Sequence, residues 1–172
     1  AMGDSAMYRN NTSGNTAIGS KALALNTSSG SNTAVGFEAL YTNTADNVTA
    51  VGHNAMHDNT TGNFNVAVGA GAMSNNTTGD HNASLGSFAM NSNLIGDGVT
   101  AIGADALFGS TGNDNTALGR GAGANITTGS NNTAIGRDAQ VPTNTGSNQV
   151  RIGNGSVSYA GVQVAWTITS DA

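Results

Sequence analysis

The chain of 172 residues contains no cysteine, which excludes a disulfide framework and a thiolate metal site and leaves the redox compartment unread. Charged residues make up 9% of it and aromatics 5%, where a globular domain is ordinarily about a quarter charged. So little charge does not fit a solvated, disordered acidic chain. The five basic residues, Arg9, Lys21, Arg120, Arg137 and Arg151, are scattered through a chain of net charge -5. No basic stripe is available to neutralise a phosphate backbone, so nucleic acid is not an expected partner. No apolar run is long enough to span a bilayer, and direct membrane insertion is not expected. The start at Ala1 has neither the basic flank nor the apolar core of a signal peptide, so any export signal or anchor is expected to lie outside this stretch. No nucleophile elbow, phosphate loop or distinctive acid pair stands out, which points away from an enzyme and from a cofactor. A calcium-binding nonapeptide of the Gly-Gly-x-Gly-x-Asp kind is also missing, as is any heptad pattern.

What the chain does have is a period. Gly3, Gly19, Gly36, Gly52, Gly69, Gly86, Gly103, Gly119, Gly136 and Gly153 recur every 16 or 17 residues. Thr-Ala followed by an aliphatic residue precedes six of these glycines, as in Thr16-Ala17-Ile18 and Thr133-Ala134-Ile135. Alanine follows three residues after the glycine, from Ala6 to Ala139, and a larger apolar residue such as Leu23, Leu40, Met56, Met73, Met90 or Leu107 usually comes next. Polar tracts such as Asn59-Thr60-Thr61-Gly62 close the units. Self-similarity at this period reads as a solenoid, each unit being strand, bend, short strand and turn. Helix is disfavoured by the Asn, Thr and Gly content and by β-branched residues at the apolar steps. Asn and Gly tolerate positive φ, and Asn, Ser and Thr bond neighbouring backbone, which accounts for the polar tracts without any function.

Side chains alternate across a strand, so each unit has two unlike faces. The large face carries Ile18, Val35, Val51, Val68, Leu85, Ile102, Leu118, Ile135 and Ile152 as an aliphatic ladder. The small face, Ala17 and Gly19 through Ala134 and Gly136, lets another backbone approach closely. Burying an aliphatic side chain contributes about 1.5–3 kcal/mol, while ordering the backbone costs about 1–2 kcal/mol per residue. Such thin coils are expected to be covered on both sides, with the small face buried by other subunits: an obligate homotrimer of parallel chains. About ten coils at roughly 4.8 Å each make a rod on the order of 50 Å long.

The Asn-Thr-Ala-Ile-Gly…Ala-Leu unit resembles the head repeats of trimeric autotransporter adhesins of the YadA-like type, over nearly the whole chain from Ala1 to about Ala139. That resemblance implies a left-handed parallel β-roll, three copies of which form a cylinder that binds molecules of a host surface, and the same repeat occurs in phage tail fibres. Residues 1–148 are thus expected to be the β-roll and 149–172 a C-terminal β segment. That segment, Gln149-Val150-Arg151-Ile152-Gly153-Asn154 and then Tyr159 to Ala172, resembles the stretch preceding an endosialidase-type intramolecular chaperone. The chaperone resemblance implies a processing junction at Ser170. The expected role is therefore a fibre segment for attachment to a cell-surface glycan or protein receptor, on a virion tail fibre or, as the alternative, on a bacterial surface.

Candidate binding residues are those that vary where the repeat is otherwise fixed, just after the glycine: Phe37, Glu38, His53, Phe88, Arg120 and Arg137. Phe37, Phe88, Tyr41 and Phe108 have the flat faces that stack on sugar rings or apolar patches, and serve equally to pack over neighbouring coils. His53, His57 and Asp58 invite a metal reading, but a spacing that aligns two histidines on a helix does not align them in a strand-and-bend unit, so no metal site is expected. The residues assigned to the repeat itself are Ile18, Gly19, Val35, Gly36, Val51, Gly52, Val68, Gly69, Ile102, Gly103, Ile135 and Gly136. The ladder Thr16, Thr33, Thr49, Thr100, Thr116 and Thr133 has the regular spacing of an ice-binding solenoid. It is interrupted at Val66, Ala83 and Val150, and burial beside the aliphatic ladder would keep it from water.

Overall fold

The computed structural model describes residues 1–157. Nine three-residue strands, β1 (Thr16–Ile18), β2 (Thr33–Val35), β3 (Thr49–Val51), β4 (Val66–Val68), β5 (Ala83–Leu85), β6 (Thr100–Ile102), β7 (Thr116–Leu118), β8 (Thr133–Ile135) and β9 (Val150–Ile152), stack in sequence order into one parallel sheet. The chain is an all-β parallel solenoid of about eight turns, with no helix among the described residues. Register follows the repeat without slippage: Thr16 pairs with Thr33, Ala17 with Ala34 and Ile18 with Val35, and so on down the stack. Met2 adds a bridge to Ile18 above β1. The stack continues beyond residue 148, where β9 pairs in parallel with β8.

Among the described residues each coil holds one strand, and the second strand expected after the bend does not form. The residues two and four positions after the repeat glycine take left-handed φ, as at Lys21 (57°) and Leu23 (53°) or Glu38 (53°) and Leu40 (52°). That alternation curls the chain instead of extending it. The alanine N–H at the third position closes the turn on the glycine carbonyl, as from Ala22 to Gly19 at 3.2 Å. The glycine itself is required: Gly69 has φ 141°, and a Cβ built there would lie 2.6 Å from the carbonyl carbon of Gly86 in the next coil.

The core reverses the expected assignment of faces. The small residues Ala17, Ala34, Ala50, Ala67, Ala101, Ala117 and Ala134 point into the chain's own interior, against the wholly buried Leu23, Leu40, Met56, Met73, Met90 and Leu107. The aliphatic ladder points outward. Ile18, Leu85, Ile102, Leu118, Ile135 and Ile152 are all exposed, with Leu118 at 47%, and Val35, Val51 and Val68 are half-buried. The small face is therefore covered by the chain itself, and the large face is the one without cover. The threonines stand beside this ladder, Thr16 and Thr116 exposed and Thr33, Thr49, Thr100 and Thr133 half-buried, so the expected burial does not occur.

Asparagines complete the interior. Asn26, Asn32, Asn43, Asn59, Asn65, Asn76, Asn82, Asn93, Asn115 and Asn132 are buried; the amide of Asn93 closes its own turn on Gly96, and those of the others bond coil to coil. Asn82 Nδ2 donates to the Gly96 carbonyl at 2.8 Å, while its Oδ1 accepts from the Val99 N–H at 2.8 Å. Each buried backbone group reached in this way is spared the cost of lying unpaired.

Candidate functional site

An in-register parallel stack places each residue over the one 16 or 17 positions later, about 4.8 Å away. Flat side chains that recur in one column therefore stack. Phe37 lies over His53 with ring centroids 5.4 Å apart and planes 12° off parallel. Tyr41 lies over His57 at 5.1 Å and 15°, and Phe64 over His81 at 5.0 Å and 19°. All three histidines of the chain are thus engaged by an aromatic ring one coil earlier, at separations typical of favourable ring pairs. His53 and His57 belong to different columns and serve different stacks.

Charged groups gather around the first two stacks. Glu38 Oε1 accepts from Lys21 Nζ at 2.9 Å, and its Oε2 lies 3.6 Å from His57 Nε2. His57 Nδ1 is 2.6 Å from Asp58 Oδ1 on its other side. The Lys21 ammonium also sits 5.8 Å from the centre of the Phe37 ring, within cation–π reach. The hydrogen bond to Glu38, and then the charge of that carboxylate, raise the Lys21 pKa above the ordinary lysine value.

The six candidate binding residues all follow the repeat glycine, but the fold divides them into three places. Phe37, Glu38 and His53 belong to the cluster just described. Phe88 is exposed and its ring lies against Gly71, where any side chain would collide with it. Arg120 and Arg137, farther along the solenoid, converge on Asp138, at 3.9 and 3.4 Å from its Oδ2. Phe108 is exposed in the same column as Tyr41 and His57, several coils away. Ser170, the expected processing junction, and the segment from Tyr159 lie outside the described residues.

Sequence reasoning missed a groove of about 230 Å³ beside the Lys21–Glu38 pair, lined by Ser5, Tyr8, Arg9, Lys21, Ala24, Leu25 and Tyr41. Writing the chain in rows of 16 and 17 residues would have shown it, because Tyr8, Ala24 and Tyr41 then fall in one column. Also missed was the role of the acidic residues near the turns. Asp46 Oδ1 accepts from the Gly30 N–H at 2.7 Å and Asp97 Oδ1 from the Asp80 N–H at 2.7 Å. Asn63, Asn113, Ser130 and Ser147 use their side-chain oxygens in the same way. This column is a side-chain ladder that ties successive coils together. Comparison with family models, with curated proteins and with solved structures finds no match to this chain.

Proposed function

We propose that this chain is a segment of a non-enzymatic homotrimeric fibre that attaches to a cell surface through a glycan or protein receptor, as in a phage tail fibre outside the cell. The observation that carries the reading is the outward aliphatic ladder, Ile18, Leu85, Ile102, Leu118, Ile135 and Ile152, which runs from β1 to β9 on one sheet. A contiguous apolar strip of this extent marks an interaction surface. The ladder repeats at a constant step, so the surface best matched to it is another copy of itself, running parallel. Three such faces meeting about one axis would bury the whole strip, with left-handed coils, about ten in number, as the YadA-like resemblance implies. The aromatic and charged clusters outside the strip would supply the attachment surface. Membership of a bacterial adhesin head is the alternative, with the same assembly.

The solution mass by light scattering, followed through dilution and mild denaturant, tests the assembly. A stable mass three times that of the chain, together with binding of the folded protein to cells, supports the reading. A folded monomer overturns it. The outward threonines then favour a second reading, because Thr16, Thr33, Thr49, Thr100, Thr116 and Thr133 flank the aliphatic column on an open sheet. In that case thermal hysteresis in a folded monomer would support ice binding, and inactivity would end it.

A further inference from the structure

The backbone changes character just after β9. The repeat glycines from Gly3 to Gly119 hold φ between 127° and 143°, Gly136 stands at 113°, and Gly153 falls to 77°. Residues 154–157 then make a turn, closed by the Val157 N–H on the Asn154 carbonyl at 3.4 Å. Asn154 is half-buried, whereas Gly155 and Ser156 are exposed. A Cβ built on Gly155 meets no atom within 4 Å. Asn154 is also the only asparagine of the sequence that a glycine follows.

The backbone nitrogen that follows an asparagine can attack its side-chain carbonyl carbon, because the closure makes a five-membered ring. The step needs a nitrogen that is free, an unhindered approach and a polarised carbonyl. All three coincide at Asn154. The Gly155 N–H has no acceptor among the described residues, and glycine brings no Cβ into the approach. The Ser156 N–H donates to Asn154 Oδ1 at 3.0 Å, the oxygen that gains negative charge when Cγ is attacked. In the coils the fold withholds the nitrogen. Asn47, Asn113 and Asn131 are exposed, but the N–H after each is held by the neighbouring coil. Val48 donates to Asn32 Oδ1, Asp114 to the Asp97 carbonyl and Asn132 to Asn115 Oδ1, each at 2.9 Å.

We propose that Asn154 is a self-modification site, at which the folded protein deamidates through a succinimide. The Gly155 nitrogen gives up its proton to base and forms a bond to Asn154 Cγ, and the side-chain nitrogen leaves as ammonia. Water then opens the ring at either carbonyl, leaving aspartate or, with the backbone rerouted through the side chain, isoaspartate. Nothing is oxidised or reduced. The product adds one negative charge to a chain of net charge -5. That charge arises one coil beyond Arg137, in the column that also carries Arg120, where both guanidinium groups are largely exposed. The last regular coil thus carries a slow switch of charge and backbone length that needs no second protein.

The test incubates the folded full chain at mildly alkaline pH in water enriched in oxygen-18 and maps the digested protein by mass spectrometry. Asn154 is expected to take up the label as aspartate and isoaspartate, while Asn47, Asn113 and Asn131 stay unlabelled. Asn154→Gln should abolish labelling at this position, and Gly155→Val should nearly do so, by crowding the attacking nitrogen. Asp114→Gly sets a second asparagine before a glycine, in a coil whose N–H is tied to Asp97. In the folded protein Asn113 should then stay unlabelled over the period in which Asn154 converts, and in urea the two should convert alike. An Asn154 that takes up no label overturns the proposal. So does an Asn113 in Asp114→Gly that converts as fast as Asn154 in the folded protein, because the fold would then select nothing.

Discussion

Leu107 and Leu118 offer the sharpest comparison, since they are the same residue type in the same part of the solenoid and differ in the face they occupy. Leu107 is wholly buried in the chain's own core, and Leu118 is 47% exposed on the outward ladder. Leu107→Ala should destabilise the protein by about 2–5 kcal/mol in any state of assembly, as large-to-small substitutions in cores do. For Leu118 the outcome depends on assembly. Complete burial of a leucine contributes about 1.5–3 kcal/mol, so covering the exposed half adds on the order of 1 kcal/mol per copy. In three copies that is about 3 kcal/mol, or roughly a hundredfold in the association constant of the trimer. Light scattering over a dilution series reads this directly, and urea unfolding at two protein concentrations reads it again as a concentration-dependent midpoint. Leu118→Ala should shift dissociation to higher concentration, while Leu107→Ala lowers the midpoint at every concentration. If Leu118→Ala leaves both curves where they are and Leu107→Ala moves the second, the outward ladder is not covered and the shared-face argument fails.

Gly69→Ala should destabilise the coil by about 1–3 kcal/mol from backbone conformation alone, with the collision against Gly86 adding to it, and thermal unfolding followed by circular dichroism would show it. Asn82→Ala strands the buried Val99 N–H and leaves the Gly96 carbonyl only its longer bond from Asn93, an expected loss of about 1–3 kcal/mol in urea unfolding, whereas the same change at the exposed Asn113 should cost less. Ala67→Leu should cost about 1–3 kcal/mol by overpacking if Ala67 is core, and would act chiefly on the oligomer mass if the small face were the contact between subunits. Because the folded pKa of Lys21 is raised by Glu38, the stability from that pair is fully present below 10.5 and is lost as pH rises through the higher folded value. Comparing the alkaline unfolding profiles of the wild type and Lys21→Met checks the sign: the two should converge above that range.

The repeat was legible because it is carried by residue types with narrow uses. Glycines at φ values near 140° cannot be replaced without strain, and their recurrence alone announced a stacked coil, its step and its strand at Thr-Ala-Ile. The groove was not legible in linear order, since Tyr8 and Tyr41 meet only through the stacking of coils. The stacks of Phe37 on His53 and Tyr41 on His57 were hidden for the same reason, although both follow once the rows are aligned.

The sequence by itself determined that there would be parallel coils with one large and one small strand face, because alternation along a strand and the period of the glycines are properties of the chain. Which face turned inward was decided only by the tertiary structure. Left-handed backbone at the second and fourth positions after the repeat glycines from Gly3 to Gly119 curls the chain toward the alanine side. Leu23, Leu40, Met56, Met73, Met90 and Leu107 then fill the interior opposite those alanines. These residues, joined in some turns by the buried Val48, Val99 and Ile126, already fill the narrow interior, so the strand must offer it alanine and present its isoleucines, valines and leucines outward.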